Sequence, residues 1–349
     1  MVAVPKDAGP FARTNMTNRK TIASNPWLLI ALATALSPAA ASAQSLVDDL
    51  AWAYAITPGP APPATVDDGT RFSLPGTDRQ FTLDQVRNRM APADWYPGDH
   101  PAMPPIVANG REAAGVWACS MCHYPNGKGR PENAGVAGLP TEYFIQQMHD
   151  FKNGARASAD SRKPNTPIMA GFAVQMTDEE IRSAAEYFGS IRWTPWIEVV
   201  ETDTVPKTRI AGGMHLKLEG AEGGTEPLGL RIVESPVNAD HTERLRNPRS
   251  GFIAYVPKGS VARGETLARF GNEGVTPCTV CHGENLDGLA IVPGLRGRSP
   301  SYIARQLADM KQGKRHGAWT PLMAPVVASL GSDDILNLAA YLASLKPTP

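Results

Sequence analysis

At 349 residues the chain is too long for one small module and accommodates two or three domains, each with a core of its own. Lys and Arg number 34 against 34 Asp and Glu, which excludes the basic excess of a nucleic-acid binder and the acidic excess of a disordered chain. Thirty-two Gly and 32 Pro predict long loops and extended connections, and only four cysteines occur.

Residues 1–43 read as an export signal. Asn18-Arg19-Lys20 is a short basic region, Trp27 to Ser37 an apolar stretch, and Ala41-Ser42-Ala43 a small-residue cleavage site before Gln44. Met16 is then the natural initiator, and the first fifteen residues an upstream misassigned start. The competing reading is an uncleaved anchor, but the apolar stretch falls short of the roughly 20 residues that span a bilayer. Cleavage would leave a periplasmic chain with no transmembrane span. Loss of Lys6, Arg13, Arg19 and Lys20 against Asp7 would also leave it three charges acidic. Residues 44–105 follow as a proline-rich arm, with Pro58, Pro60, Pro62 and Pro63 and then Asp94-Trp95-Tyr96-Pro97, and hold no assignable motif.

All four cysteines lie in Cys119-Ser120-Met121-Cys122-His123 and Cys278-Thr279-Val280-Cys281-His282, two copies of the C-x-x-C-H pattern of c-type haem attachment. From the chain's own frequencies of Cys and His, chance supplies about 0.001 copies. Thiols three positions apart on one helical turn reach the two vinyl groups of a single haem, and the next imidazole becomes the proximal iron ligand. A thioredoxin-like dithiol would need a preceding strand, and a zinc ribbon a second C-x-x-C some 15–20 residues on; neither condition is met. The pattern therefore predicts two covalently attached haem c, held through Cys119, Cys122, Cys278 and Cys281, with His123 and His282 on the irons.

A shift of 159 residues (278 − 119) lays the segment from Gly138 to Gly154 over that from Gly297 to Gly313, with Gln147, Asp150, Lys152 and Gly154 recurring at Gln306, Asp309, Lys311 and Gly313. Two copies of one domain are present, and each segment reads as an amphipathic helix closed by a glycine. Thr166-Pro167-Ile168-Met169-Ala170 lies over Thr320-Pro321-Leu322-Met323-Ala324 at a shift of 154, so the second copy lacks five residues near 157–165. Helix starts follow at Thr177-Asp178-Glu179-Glu180 and Ser332-Asp333-Asp334. Met148, Met176 and Met310 answer to Leu307, Leu330 and Phe151, so they read as core. Only Met169 and Met323 are methionine in both copies, each after a Thr-Pro pair expected to hold the backbone extended; they are the expected distal thioether ligands. His149 and His316 lack a matching histidine, and His100, His215 and His241 fall in irregular segments expected to be solvent-exposed.

These residues resemble class I cytochromes c, and the tandem arrangement is similar to the dihaem cytochromes of the c4 type. The resemblance covers residues 106–190 and 258–347 and rests on the two C-x-x-C-H motifs, the Tyr-x-x-x-Gln helix downstream of each, and a Met ahead of an acidic-capped last helix. It implies a mainly α fold of two tandem cytochrome c domains and a protein that shuttles electrons; the family's interdomain linker is short, whereas the linker expected here is long, with some short strands. It also implies that Gly110 and Gly264 mark the crossing of first and last helices, and that a carbonyl after each motif accepts the proximal histidine's Nδ1 proton. Pro293 supplies it in the second copy, whereas the first has Ala134, which serves as well. The linker, residues 191–257, carries strand-like runs at 197–200, 230–233 and 252–256. Arm and linker are expected to pack across the two haem domains, and Trp95, Trp193 and Trp196 suit either that role or a docking surface.

Two irons with both axial positions filled change oxidation state without binding substrate, so the chain is expected to be a carrier and not an enzyme, with no catalytic residues. Its electrons would come from a periplasmic dehydrogenase or quinol-oxidising complex and leave to an oxidase or reductase. The alternatives are a haem-containing electron-accepting subunit of a periplasmic dehydrogenase complex, or a dihaem peroxidase, which needs a displaceable distal ligand with acid/base groups beside it.

Overall fold

A computed structural model describes residues 46–60 and 65–347. The expected signal segment and initiator Met16 lie outside the described residues. No helix among the described residues is long and apolar enough to cross a membrane.

The two repeats build matching sets of helices. Each haem motif forms one short turn of helix, Cys119–His123 and Thr279–His282. A longer helix follows in each, Thr141–Lys152 and Pro300–Lys311, and the chain leaves it through Gly154 and Gly313, whose φ of +73° and +64° only glycine adopts freely. The closing helices are Asp178–Ser190 and Ser332–Ser344. Thr177 caps the first through a reciprocal box, its Oγ1 accepting from Glu180 N at 3.2 Å while Thr177 N donates to Glu180 Oε2 at 2.9 Å. In the second, the cap falls one residue before the expected Ser332: Gly331 N donates to Asp334 Oδ2 at 2.9 Å. Equivalent backbone bonds tie each post-motif loop to its closing helix, Gly138 N to Phe188 O and Gly297 N to Leu342 O.

Helix crossing depends on glycine in one copy only. The Ser260–Phe270 helix packs so closely on Ser332–Ser344 that a Cβ at Gly264 would sit 1.9 Å from Asn337 O. Gly110 does not mark such a crossing: the preceding helix is only Pro105–Ala108, and Gly110 forms a tight turn at φ +64° against Val116 and Trp117.

The Thr-Pro pairs are helical, not extended. Asn165–Gln175 and Thr320–Ala328 are helices whose first turns contain Pro167 and Pro321. Proline is tolerated there because first-turn N–H groups have no intrahelical partner.

The arm and linker supply the strands. β1 (Phe72–Ser73) and β2 (Gln80–Phe81) form a small ladder in the arm. In the linker β3 (Ile197–Glu201) runs parallel to a later strand, while β4 (Thr204–Pro206), β5 (Thr208–Ala211), β6 (Met214–Lys217) and β7 (Thr225–Pro227) pair as β4–β7 and β5–β6. β8 (Val233–Pro236) and β9 (Phe252–Val256) complete a three-stranded sheet in the order β3-β9-β8, with Ile197 opposite Phe252. The run expected at 230–233 is thus a strand three residues later. Leu46, Val47, Leu50 and Tyr54 of the arm are buried in one core with Ile303, Ala304 and Ala308 of the second copy. Trp95 is buried with Leu74, Leu83 and Val86, and its Nε1 donates to Leu245 O of the linker at 2.8 Å.

Candidate haem sites

Each motif helix delivers its histidine in the same way. His123 Nδ1 lies 2.8 Å from Ala134 O, and His282 Nδ1 lies 2.8 Å from Pro293 O. A carbonyl accepts only from N–H, so Nδ1 carries the proton and Nε2 keeps its lone pair. Burial pushes both imidazoles below their ordinary pKa, which holds them neutral. The loop that carries the acceptor is itself closed identically, Gly129 N to His123 O and Gly288 N to His282 O, each at 2.9 Å. Proline is therefore dispensable at the acceptor position.

The four cysteines form no disulfide with one another, which leaves all four sulfurs for thioether attachment.

In the first copy a slot opens beside His123. Its inner half is lined by Cys119, Cys122, Phe172, Met176 and Phe188, and its outer half by Arg156, Ser158, Lys163, Asn165 and Arg305. His123, Phe144, Met148 and Met169 line both halves, and the outer half encloses about 850 Å³ with its mouth. One end is thus apolar and bears the thiols; the other bears the cations Arg156, Lys163 and Arg305 together with the carboxylates of Glu132 and Asp309. The buried oxygen of Ser158 has no partner among the described residues, and burial pushes the Lys163 ammonium down to about 7, with Tyr54 O at 3.4 Å as its hydrogen-bond acceptor. This polarity fits a haem, whose vinyl edge is apolar and whose opposite edge carries two carboxylates. In the second copy Cys278 and Met323 are partly buried against the same core as Leu295, Leu307 and Met310.

Between the copies lies a buried polar cluster related by the repeat. Arg156 donates to Gln147, Tyr302 and Gln306, and Arg315 donates to Gln306, Tyr143 and Gln147, at 2.7–3.2 Å. The backbones of Arg156 and Arg315 pair as an antiparallel bridge. Carrying the 159-residue shift two residues past Gly154 would have exposed this arginine pair in the sequence. Lys163 lies within the extra segment of the first copy, so the repeat gave no counterpart to flag it.

The histidines set aside by the sequence fall in unlike places. His149 Nε2 lies 3.6 Å from exposed Asp178 Oδ1, and His316 is exposed. His100 is not solvent-exposed: its buried ring meets Asp94 Oδ1 at 3.3 Å, Pro101 O at 2.8 Å and Tyr187 Oη at 3.1 Å. His215 is likewise partly buried, with Nε2 3.3 Å from Trp52 O, and His241 is half-buried. His215 sits on β6 and not in an irregular segment, and the segments holding His100 and His241 are packed rather than splayed into water.

Comparison with known proteins matches the family described as Cytochrome c over residues 107–192. Cytochrome c-554(548) of Halomonas halodenitrificans is 36% identical over 78 residues, which are 22% of this chain and 94% of that protein. The chain belongs to the cytochrome c family. This cytochrome is also 24% identical to cytochrome c4 of Pseudomonas aeruginosa over 245 residues, 68% of its own length and 88% of that protein. It is 27% identical to a thiosulfate dehydrogenase electron acceptor of Thiomonas intermedia over 267 residues, 74% of its length and 87% of that protein. This cytochrome is of the c4 type: it carries two covalently bound haem c and transfers electrons.

Proposed function

We propose that this cytochrome is a periplasmic carrier of single electrons with two His/Met-ligated haems. Cys119 and Cys122 hold the first haem and Cys278 and Cys281 the second, with His123 and Met169, and His282 and Met323, on the respective irons. The observation that carries this reading is the pair of histidines whose Nδ1 protons are fixed on Ala134 O and Pro293 O, each with a methionine at the matching downstream position. Haem iron supplies a one-electron couple, and a thioether ligand raises its potential. The protein's own part is to fix both imidazole tautomers and exclude water with Phe144, Met148, Phe172 and Phe188, while Arg156 and Lys163 are the cations that would hold the haem carboxylates. Residues 106–190 and 258–347 form the two haem domains, mainly of helix, joined by linker 191–257. The initiator is Met16 and the signal is removed before Gln44.

With both axial positions filled the protein is a carrier and not a catalyst. Electrons arrive from a periplasmic dehydrogenase or quinol-oxidising complex and leave to an oxidase or reductase. Similarity to a thiosulfate dehydrogenase electron acceptor favours a second reading, in which the chain is the electron-accepting subunit of a dehydrogenase complex. A dihaem peroxidase would need acid/base groups around a displaceable Met169, and the apolar lining of the inner half of the slot speaks for the carrier.

The test is spectroscopic. The protein should contain two haems, show the long-wavelength charge-transfer band of thioether-ligated ferric haem, and bind no carbon monoxide when reduced. Met169→Ala and Met323→Ala should each halve that band and open one haem to carbon monoxide. A full band in both variants refutes the axial assignment.

A further inference from the structure

The two haem motifs, equivalent in sequence, have opposite surroundings. In the first copy Tyr124 to Gly127 are all buried, and Tyr124 packs with Trp196, Met214, Leu216 and Phe252 of the linker. Arg246 donates to Met121 O with its guanidinium 5.5 Å from the Tyr124 ring centre, and Asn126 Nδ2 donates to Pro248 O at 2.8 Å. From the arm, Arg89 O accepts from Ala118 N at 2.9 Å while the Arg89 guanidinium lies 4.1 Å from the Trp117 ring centre. Linker and arm together cover this motif.

The second motif is bare. Val280 is 65% exposed, Leu289 60%, Ile291 43% and Phe270 75%, and Cys281 is exposed as well. Phe270 is held to the motif by the bond from Thr279 Oγ1 to Arg269 O, and the loop bearing Leu289 and Ile291 by the bond from Gly288 N to His282 O. At the 159-residue shift these four positions answer to Met121, Arg130, Glu132 and Arg111. Arg130 and Glu132 form an ion pair, and Glu132 is 5% exposed against Gly213 of the linker. The same places thus bear a charge pair under a cover in one copy and uncovered apolar side chains in the other. A cluster of exposed large apolar residues marks an interaction surface.

Charge narrows the partner. Residues 271–295 contain Glu273, Glu284 and Asp287 and no Lys or Arg. The neighbouring cations are engaged within the chain, Arg269 with Tyr341 Oη and Glu265, and Arg296 with Asp287 and Lys346 O. The apolar cluster therefore has an acidic rim.

The geometry points to the second haem motif as the port of this cytochrome, docking a redox protein that offers an apolar face ringed by Lys and Arg, while linker and arm close the first motif to direct docking. The port rests on the electron-carrier reading and deepens it: electrons reach the first haem by way of the second.

A lysine-rich monohaem cytochrome c in its ferric form is a suitable probe, with its reduction by the reduced protein followed by stopped flow. The second-order rate constant should fall as salt is raised, and Glu273→Lys/Glu284→Lys should lower it about 10-fold at low ionic strength. Phe270→Ser/Leu289→Ser should also lower it, at unchanged haem content. Glu112→Lys and Val174→Ser, at exposed positions of the first copy, should leave it within about twofold. Equal slowing by Glu112→Lys, or no slowing by Glu273→Lys/Glu284→Lys, overturns the port. So does a wild-type dimer by sedimentation that Phe270→Ser/Leu289→Ser converts to monomer, since the patch would then serve self-association. Absence of reversible reduction, or carbon monoxide binding at both haems of the parent, would instead remove the carrier reading itself.

Discussion

Gly264→Ala tests the helix crossing that organises the second copy. Glycine is a poor helix former, and alanine there is intrinsically favoured by about 1 kcal/mol. The added Cβ, however, would stand 1.9 Å from Asn337 O, 2.6 Å from Asn337 C and 2.7 Å from Tyr341 Cβ, two of these being backbone atoms of a helix that cannot rotate away. Relief requires the Ser260–Phe270 and Ser332–Ser344 helices to part by about 1 Å, a gap that forfeits a quarter to a half of the dispersion energy of each contact across it. Leu267 and Ala268 face Ile335, Leu338 and Ala339 in that core, so the loss is spread over several side chains. Overpacking of this kind costs about 1–3 kcal/mol in cores that can adjust and more where backbone meets backbone. The net expectation is a destabilisation of about 3 kcal/mol, read as a lower denaturant midpoint at unchanged slope, with the haem of the second copy losing its charge-transfer band first. A variant within about 0.5 kcal/mol of the parent would show that the crossing is not close and would refute the reasoning.

Tyr124 has φ 61° and ψ 157°, a region that is essentially glycine's, and its counterpart Gly283 has φ 82° and ψ 154°. Tyr124→Gly and Tyr124→Ala both lose the ring packed by Trp196 and Met214, but only glycine relieves the backbone, so the glycine variant should be the more stable of the two by about 1–3 kcal/mol in urea titration; the reverse order would deny the strain. Glu234 is fully buried, accepts from Ser299 Oγ at 2.7 Å and Ser301 N at 3.3 Å, and is pushed up by burial to about 7 from 4.5. The folded chain therefore holds this proton to higher pH than the unfolded chain, and the contribution is full below about pH 4.5 and lost as pH rises through about 7. Stability should fall by up to about 3 kcal/mol across that window, and Glu234→Gln should flatten the profile; an unchanged slope counts against the shift. Arg305 donates to Ala53 O at 2.5 Å and Pro131 O at 2.6 Å from its two terminal nitrogens. Lysine cannot reproduce that fork, so Arg305→Lys should cost about 1.5–3 kcal/mol in thermal unfolding, and no change would mean that the two bonds are not both made.

The motif turns and the repeated helices were legible in the sequence, because covalent haem chemistry and helical periodicity impose fixed spacings; the carbonyls that hold His123 and His282 followed from the family resemblance. Thr166-Pro167 and Thr320-Pro321 misled because proline favours two opposite places, an extended approach and a first helical turn, and only the residues packed behind it decide between them. The burial of His100 and His215 was invisible for a related reason. Their contacts, Tyr187 and Trp52, lie 87 and 163 positions away, and no local period in the sequence joins them to either histidine. Lys163, Arg298 and Arg305 were missed because a lone cation in a sequence reads as surface, whereas here each lies at the meeting of two or three segments. Arg298 shows it well, donating to Gly135 O and Ala137 O while stacked 4.0 Å from the Trp193 ring centre.

The bond from Arg305 to Ala53 joins residues 252 positions apart. It has a consequence for assembly. The arm is made first, yet the surface it occupies, Ile303, Ala304 and Ala308 with Tyr54 set among them, exists only once the last third of the chain has folded. Contacts of such long range are slow to close, because the loop between them must be ordered before they return any energy. The apolar stretch of Leu46, Val47, Leu50 and Trp52 must therefore wait unpaired while both haems are attached to their motifs. Its final seating would act as the latch of the folded state, and a chain truncated before the second motif would be left with that segment in water, open to proteolysis and to association with its own kind.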